Sequence, residues 1–381
     1  MAKKEGKKML EKDLALVEGA IKEYYFNHFD LVHIPQNITQ REFGYQKING
    51  GMIRHIAIKD SKELHLLLMK ETPSDVYCSN AYYSFPSMPM SEKDWQGADL
   101  IFDIDAKDLA LPCRNDHSIS ICTECHNANP GKQVACTKCG SAKSEVVSVT
   151  CKNCIDESKK EVKKLVRILD EDFGIKDAVE VYFSGNEGFH IRVTNKNYEM
   201  LGSQERADLV DYIMFNGAIP ETFGIRKQNN SKSTLPEMGE LGWRGRVAAN
   251  LFGSKTKMPK ISRQIILDGY SAFQVKLDGM RQTIGARVDP KVTMDIHRIF
   301  RLEGSINSKS GLVKLKCENI DEFDPFLDAC LIGEETVDVI ANCPVQIKLK
   351  NKKYGPYANE RKSVPKYAAV YMICKGLAST V

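Results

Sequence analysis

Two aspartates, Asp103 and Asp105, end a short hydrophobic segment, residues 100–105, in which side chains alternate in character. Alternation with a period of two predicts a β-strand with three apolar side chains on one face and both carboxylates on the other. Side chains two residues apart on a strand are separated by roughly 7 Å, so both carboxylates can reach one or two divalent cations. The alternative is an ordinary edge strand whose aspartates face water.

A third acidic residue, Asp295, lies in residues 292–297, which also alternate and are predicted to form a strand with Asp295 on its polar face. Nucleotidyl transfer with two metals requires carboxylates that hold two cations about 3.5–4 Å apart. Asp103, Asp105 and Asp295 can supply these carboxylates, and Mg²⁺ or Mn²⁺ is the cation that oxygen ligands favour.

A candidate phosphate-binding turn follows a second predicted strand. Residues 179–183 alternate like a strand and lead into residues 184–190, which contain two glycines. Gly185 allows tight backbone geometry and a close approach of ligand, and Ser184 and His190 can donate hydrogen bonds to phosphate oxygens. The alternative is a plain hairpin, because many hairpins contain such residues.

Two further cations follow Asp295 in the sequence. Arg298 comes three residues later, and Lys309 lies in a loop, residues 304–311, that begins and ends with glycine. A triphosphate needs donors of its own because the metals neutralise only part of its charge. Arg298 and Lys309 are therefore candidates to assist Ser184 and His190.

Cysteine spacing indicates metal binding in the segment 113–154, which holds seven of the twelve cysteines. Two Cys-x2-Cys pairs ten residues apart have the spacing of a zinc ribbon. Four more ligands flank them and would form a second zinc site if the ends of this insertion lie close together. We therefore expect one or two Zn²⁺. The ribbon set is Cys122, Cys125, Cys136 and Cys139, and the outer set is Cys113, His117, Cys151 and Cys154.

Length and composition are those of an ordinary globular protein. The chain has 381 residues, of which 42% are hydrophobic and 27% charged, so it forms one large domain with insertions or two domains. Its net charge of +4 permits a polyanionic partner without requiring one. No run of about 20 apolar residues or apolar leader is present, so we expect no membrane partner and a cytoplasmic location.

Several elements must position these candidate residues. Helical periodicity predicts a helix over residues 13–29 and another from near Asp156 to a stop at Gly174. Residues 197–285 are helical in pattern and are predicted to form a small subdomain without chemistry of its own. Within it, residues 229–233 are predicted to form a loop and residues 242–246 a basic turn, which either contacts a nucleic-acid backbone or is simply solvated.

Taken together, these motifs make the chain resemble the small catalytic subunit of archaeal and eukaryotic DNA primase, and it is most similar to the archaeal branch. The resemblance extends over nearly the whole chain. The motifs that carry it are Arg41-Glu42-Phe43-Gly44, Trp95-x-Gly97-Ala98-Asp99, Phe102-Asp103-Ile104-Asp105, Ser184-Gly185-x-x-Gly188-x-His190, Gly242-Trp243-Arg244, Asp295-x-x-Arg298-x-x-Arg301, Ser305-x-x-x-Lys309-x-Gly311-Leu312 and Tyr367-Ala368-Ala369-Val370-Tyr371.

The resemblance implies a mixed α/β (α+β) fold with a catalytic core of two β-sheets flanked by helices. A zinc-binding stem and a small helical subdomain would be attached to this core. The implied division is a core of residues 1–112, 155–196 and 286–381, a zinc insertion of residues 113–154 and a helical subdomain of residues 197–285.

It also implies a DNA-directed primase that starts primers de novo from nucleoside triphosphates on single-stranded DNA. The primers would be RNA, with DNA as a further possibility, and the enzyme would act at the replication fork in the nucleoid, among the replication machinery. A large, iron–sulfur-containing subunit would complete a heterodimer. By position, the metal carboxylates would be Asp103, Asp105 and Asp295, and the nucleotide-binding residues Ser184, Gly185, His190, Arg298 and Lys309.

Two departures from the family pattern affect the site. Archaeal relatives commonly carry a histidine and a glycine where this chain has Asn307-Ser308, which alters a triphosphate contact. The zinc segment is also longer, so the ribbon set is an added site if the outer set matches the family's zinc site.

Two alternative functions use the same motifs. One is a repair or translesion polymerase of the same superfamily that extends primers without starting them. The other is a zinc-ribbon nucleic-acid adaptor without catalysis. The three carboxylates disfavour the adaptor, and the zinc segment with the full-length resemblance favours the replicative primase over the repair polymerase.

Overall fold

The computed structural model describes residues 9–228 and 234–381, so the loop predicted at 229–233 lies outside the described residues. The described residues form a mixed α/β fold, which confirms the predicted fold class. The helices are α1 (Glu11–Asn27), α2 (Ser61–Glu71), α3 (Arg114–His117), α4 (Lys152–Phe173), α5 (Ser203–Ile213), α6 (Gly242–Phe252), α7 (Met258–Ile284), α8 (Pro290–Met294), α9 (Pro325–Asp328) and α10 (Lys366–Cys374).

Most strands belong to small antiparallel sheets, as expected for segments that alternate between buried and exposed side chains. The strands are β1 (Phe43–Gln46), β2 (Met52–Ile56), β3 (Asp75–Ser79), β4 (Ala81–Tyr83), β5 (Trp95–Ala98), β6 (Leu100–Asp105), β7 (Ser118–Cys122), β8 (Ala128–Pro130), β9 (Ser144–Ser148), β10 (Val179–Phe183), β11 (Gly188–Val193), β12 (Ile299–Arg301), β13 (Leu315–Lys316), β14 (Thr336–Cys343), β15 (Ile347–Leu349), β16 (Lys352–Tyr354), β17 (Tyr357–Pro365) and β18 (Ala378–Thr380).

One four-stranded sheet, in the order β13-β10-β11-β6, carries the predicted acidic strand. The alternation predicted for β6 is confirmed, because Leu100, Phe102 and Ile104 are buried in the main hydrophobic core. The opposite face of β6 contributes Ile101 to a smaller apolar cluster, and its two aspartates lie on that same face. The apolar face thus fixes the direction in which the carboxylates point.

A second four-stranded sheet, in the order β12-β3-β1-β2, is joined to the first by buried ion pairs. Arg192 of β11 lies 3.0 Å from Glu303, which follows β12, and Lys314 lies 3.1 Å from the same carboxylate. These cations hold the pKa of Glu303 at about 2, although burial alone would raise it. Removing one partner of such a buried pair is strongly destabilising, so these contacts fix the two sheets relative to each other.

Helix α4 packs on the β6 sheet and links the zinc segment to it. The helix begins at Lys152, four residues before the predicted start, because the side chain of Cys151 accepts a hydrogen bond from the amide of Cys154 as an N-cap. Its predicted end at Gly174 is confirmed, since Gly174 adopts φ +66° at the C-cap.

Two chain segments are inserted between strands of the β6 sheet. One lies between β6 and β10, and the other lies between β11 and β13. Strands β7, β8 and β9 make a three-stranded sheet in the zinc segment. Helices α6 and α7 pack around a separate apolar cluster that includes Phe223, Val247 and Phe273. The basic turn predicted at residues 242–246 is wrong, because these residues form the first turns of α6.

The cations of this helix are used within the protein. Arg246 pairs with Asp172 and Glu171 at 2.6 Å, and Arg244 lies 2.5 Å from Glu240. Among the described residues, 9–228 and 234–381, no helix combines the length and the apolar character needed to cross a membrane.

Helix α4 offers a test of this packing. Leu165 is fully buried on the core face of the helix, and we expect Leu165→Ala to lower the free energy of unfolding by about 2–5 kcal/mol through lost contacts and a cavity. Lys160→Ala, at an exposed position of the same helix, should change it by less than about 0.5 kcal/mol. Urea denaturation of both variants measures the difference, and equal effects would contradict the assigned core face.

Candidate active site

The two aspartates of β6 lie opposite the phosphate-turn strand β11. In this antiparallel pairing Asp103 faces His190 and Asp105 faces Gly188. Nε2 of His190 lies 3.7 Å from Oδ1 of Asp103, and the imidazole ring packs 4.1 Å from the ring of Phe300. The pairing therefore brings together three residues that the sequence assigned to the site, Asp103, Asp105 and His190.

Negative charge is concentrated around Asp103. Burial, together with the charges of Asp105, Asp289 and Asp108, raises the pKa of Asp103 to about 8, and Lys107 opposes this rise. Lys107 forms an ion pair with Asp105. A divalent cation would relieve this repulsion, which supports a metal-binding role for the cluster.

Asp103 and His190 also carry buried polar atoms that lack hydrogen-bond partners among the described residues. Within the described part of the chain, Oδ1 of Asp103 and Nδ1 of His190 are buried without a hydrogen-bond partner. A buried polar atom without a partner costs free energy, so atoms of this kind point to a ligand or ion that completes the site. The chemistry of the residues therefore fits divalent cations.

Asp289, a residue that the sequence reasoning missed, is the third carboxylate next to Asp103. Its amide donates to the carbonyl oxygen of Asp103 at 2.9 Å, and its charge raises the pKa of Asp103. Asp289 is the N-cap of α8, where its side chain accepts from the amide of Lys291 and Pro290 occupies the first turn. The dipeptide Asp289-Pro290, an N-cap residue followed by proline at the first helical position, is the signal that could have found it.

The strand predicted at residues 292–297 is wrong, because α8 covers residues 290–294. Asp295 is at the C-terminal end of this short helix, with its side chain 44% exposed and 3.9 Å from Arg298. Its charge acts on Tyr83, whereas the carboxylates that raise the pKa of Asp103 are Asp105, Asp289 and Asp108. The structure therefore adds Asp289 to the carboxylates that act on Asp103, and the assignment of Asp295 to the metal site stays a prediction.

Ligand spacing also distinguishes the acidic cluster from the zinc sets. In the residues that the structure describes, only the ribbon and outer sets bring three or more ligand atoms of His, Cys, Asp or Glu within 4.8 Å of one another. The carboxylates of Asp103, Asp105 and Asp289 do not all approach one another this closely.

The turn that begins at Ser184 lies against the acidic strand with almost no space between them. A Cβ atom at Gly188 would lie 2.8 Å from Cα of Asp105 and would collide with the carbonyl oxygen of Ile104. Gly185 adopts φ +86°, a conformation that side chains rarely adopt. The hydroxyl of Ser184 accepts from the amide of Gly188 at 3.3 Å, which closes the turn.

The loop after β12 holds this turn from the other side. Nδ2 of Asn307 donates to the carbonyl oxygen of Ser184 at 3.2 Å, and Oδ1 of Asn307 accepts from the amide of Lys309 at 3.0 Å. Ser310 donates to the carbonyl oxygen of Gly185. Asn307 is thus a buried link between the two candidate phosphate-binding segments.

The cations around the turn differ in availability. Burial lowers the pKa of His190 well below its usual range, and Lys314, Arg301, Arg192 and Arg298 lower it further, so the imidazole is neutral near pH 7. Arg192, Arg301 and Lys314 are engaged in buried ion pairs. Arg298 is 43% exposed and Lys309 is exposed, so both can reach a ligand.

The zinc segment brings together both predicted ligand sets. In the ribbon set, Cys122 lies 3.6 Å from Cys139 and Cys125 lies 3.6 Å from Cys136, measured between sulfur atoms. Four sulfurs bound tetrahedrally at about 2.3 Å from zinc are about 3.8 Å apart. The ribbon set therefore has the geometry of a zinc site.

The outer set has similar geometry. The sulfur of Cys113 lies 3.7 Å from that of Cys154 and 3.9 Å from that of Cys151, and Nε2 of His117 lies 3.2 Å from the Cys154 sulfur. The hydroxyl of Ser148 lies 3.3 Å from Nδ1 of His117, an outer contact typical of histidine ligands. Both sets can hold zinc.

Comparisons with known proteins give one consistent family description. A family model described as "DNA primase small subunit" matches residues 144–317. The DNA primase small subunit PriS of Nitrosopumilus maritimus (strain SCM1) is 57% identical over 372 residues, which cover 97% of this chain and 100% of that protein. PriS of Cenarchaeum symbiosum (strain A) is 50% identical with the same coverage, and PriS of Archaeoglobus fulgidus is 29% identical over 94% of this chain and 96% of that protein.

Metal analysis of the purified protein tests the zinc geometry. We expect about two zinc ions per chain, because each set supplies four ligands. Cys154→Ser in the outer set and Cys136→Ser in the ribbon set should each lower the count to about one, and the double variant to about none. A count of one in the wild-type protein would show that only one set holds zinc, and the single variants identify which.

Proposed function

Because this chain belongs to the family of DNA primase small subunits, it is a nucleotidyltransferase that makes primers, and we propose that Asp103, Asp105 and Asp289 hold its catalytic divalent cations. The observation that carries this proposal is the pairing of β6 with β11, which sets Asp103 opposite His190. The α8 N-terminus adds Asp289 beside them. Mg²⁺ or Mn²⁺ suits these oxygen ligands.

The proposed reaction joins a nucleoside triphosphate to a growing primer. When bound, the two cations favour ionisation of the primer 3′-hydroxyl and stabilise the pyrophosphate as it leaves. Asp103 and Asp105 orient both cations from a rigid strand, which keeps the reacting groups aligned without reorganisation during the reaction.

The triphosphate would lie across the turn that begins at Ser184. The Ser184 hydroxyl and the backbone of Gly185 face this position, and neutral His190 can donate a hydrogen bond to a phosphate oxygen without adding charge. Arg298 and Lys309 would neutralise the phosphates on the side away from the carboxylates. Asp295 would then act on Arg298, 3.9 Å away.

The proposed partners follow from the family. They are a large primase subunit that completes a heterodimer, single-stranded DNA as the template, and the nucleoside triphosphates. The protein would act with the replication machinery at the replication fork in the nucleoid. Its template, like other nucleic-acid ligands, would contact cations on the surface through its phosphates.

Comparing three aspartate variants tests the carboxylate assignment. Asp103→Asn and Asp289→Asn should each lower primer synthesis on unprimed single-stranded template by roughly 10³-fold or more, because each removes a metal ligand. Asp295→Asn should retain most of the activity. Thermal unfolding of all three variants provides the control for folding.

Two outcomes would contradict this assignment. Full activity of Asp103→Asn with Mg²⁺ or Mn²⁺ would exclude the two-metal site on β6. Loss of activity in Asp295→Asn combined with full activity in Asp289→Asn would restore Asp295 as the third ligand. A wild-type protein that forms product only when a primer is supplied would favour the repair polymerase.

Asn307 provides a separate test of the triphosphate position. Asn307→Ala leaves the carbonyl oxygen of Ser184 without its donor, and we expect the KM for nucleoside triphosphate to rise roughly tenfold while kcat changes little. Ser308→Ala, at the adjacent position, is the matched control and should leave both constants near their wild-type values. An unchanged KM in Asn307→Ala would show that this loop does not position the triphosphate.

A further inference from the structure

Both chain segments that carry the outer zinc set also contact the turn that begins at Ser184. Arg114, between the ligands Cys113 and His117, donates from Nη1 to Oε2 of Glu187 at 2.8 Å. The two side chains are only 20% and 12% exposed. Glu187 lies inside the turn, so this ion pair joins the first half of the outer set directly to the candidate triphosphate site.

The second half of the outer set makes its own contact. Thr150, immediately before Cys151, donates from its hydroxyl to the carbonyl oxygen of Asn186 at 3.2 Å. Nζ of Lys375, at the end of α10, donates to the side chain of Asn186 at 2.8 Å. Asn186 and Glu187 are therefore held from outside the active site, and two of these three hydrogen bonds come from residues next to zinc ligands.

The Arg114 contact is a charged one in a partly buried place. A charge-assisted hydrogen bond of this kind is stronger than a neutral one. Glu187 is also fixed through its backbone, because its carbonyl oxygen accepts from the amide of Ala106, next to Asp105.

Helix α3, which carries Arg114, spans four residues and cannot be stable on its own. Ligands at both of its ends, Cys113 and His117, belong to the outer set. A metal bound there would fix the ends of the helix and thereby the position of Arg114, since metal binding and local folding are coupled.

We propose that Arg114 is a positioning residue through which the outer zinc set holds the Ser184 turn in its triphosphate-binding conformation. This inference rests on the proposed function of that turn. The outer set then contributes to the affinity for the nucleotide, and the ribbon set does not. Arg114 itself touches neither the triphosphate nor the reacting atoms.

The test measures KM and kcat for nucleoside triphosphate during primer extension, together with zinc content, for Arg114→Ala and Glu187→Gln. We expect each variant to raise KM roughly tenfold, to change kcat less than about twofold and to retain both zinc ions. Arg114→Lys should restore part of the affinity. Cys113→Ser should lower the zinc count by one and raise KM by at least as much as Arg114→Ala.

A double-mutant cycle distinguishes the specific contact between Arg114 and Glu187 from a general destabilisation of the zinc segment. Because the two side chains act through one contact, Arg114→Ala combined with Glu187→Gln should raise KM no more than either change alone. Lys143→Ala is the matched control, since it removes an exposed ion pair with Glu124 in the same segment, and it should leave KM unchanged. Effects that multiply in the double variant, or an unchanged KM in both single variants, would overturn the proposal.

Ser184→Ala distinguishes failure of this inference from failure of the proposed function. If Ser184→Ala raises KM and Glu187→Gln does not, the turn binds the triphosphate but Arg114 does not position it. If Ser184→Ala leaves KM unchanged, the assignment of the turn fails, and the inference fails with it. Should Arg114→Ala fail to fold, Glu187→Gln, which preserves the shape of the side chain, gives the same reading.

Discussion

The antiparallel register between β6 and β11 is the constraint on which the candidate site depends. It places Asp103 opposite His190 and Asp105 opposite Gly188. Because side chains alternate along a strand, a slip of one residue would turn both aspartates into the hydrophobic core and is therefore strongly disfavoured. The apolar face of β6 thus determines the register of the pairing. Gly188 allows β11 to approach β6 closely, because a residue with a side chain at this position would collide with Asp105.

A buried charge network beneath the site extends this rigidity to the second sheet. Arg192 of β11 pairs with Glu303 and also approaches Asp99. Arg41, which lies two residues before β1, pairs with the same Asp99 at 2.9 Å. Ion pairs of this kind add little net stability, since desolvation offsets most of their attraction, but breaking one leaves a buried charge. These ion pairs fix the position of the two sheets relative to each other. Arg298 and Lys309 are not part of this network and remain exposed to a ligand.

The sequence predicted those parts of the fold and site whose signals are local. Alternation fixed β6, and both ligand sets follow from cysteine spacing and are confirmed as clusters. Residues 292–297 alternate equally well, yet they lie in and after a short helix, because Asp289 and Pro290 supply a helix start that outweighs a six-residue pattern. The domain boundaries and the roles of the site residues remain predictions. The ion pair between Arg192 and Glu303 connects residues more than 100 positions apart, and no local pattern in one sequence can reveal it.

The two zinc sets differ in their relation to the site, and this difference argues for different roles. The outer set closes the neck of the insertion, where its two halves rejoin the core and where Arg114 and Thr150 reach the Ser184 turn. The ribbon set lies farther out, and the ion pair between Lys143 and Glu124 that accompanies it is mostly exposed. A metal at the neck can transmit its binding energy to the active site through short, partly buried contacts. In the arrangement that we propose, the ribbon set is a second zinc site beyond the neck from which the outer set would support the Ser184 turn.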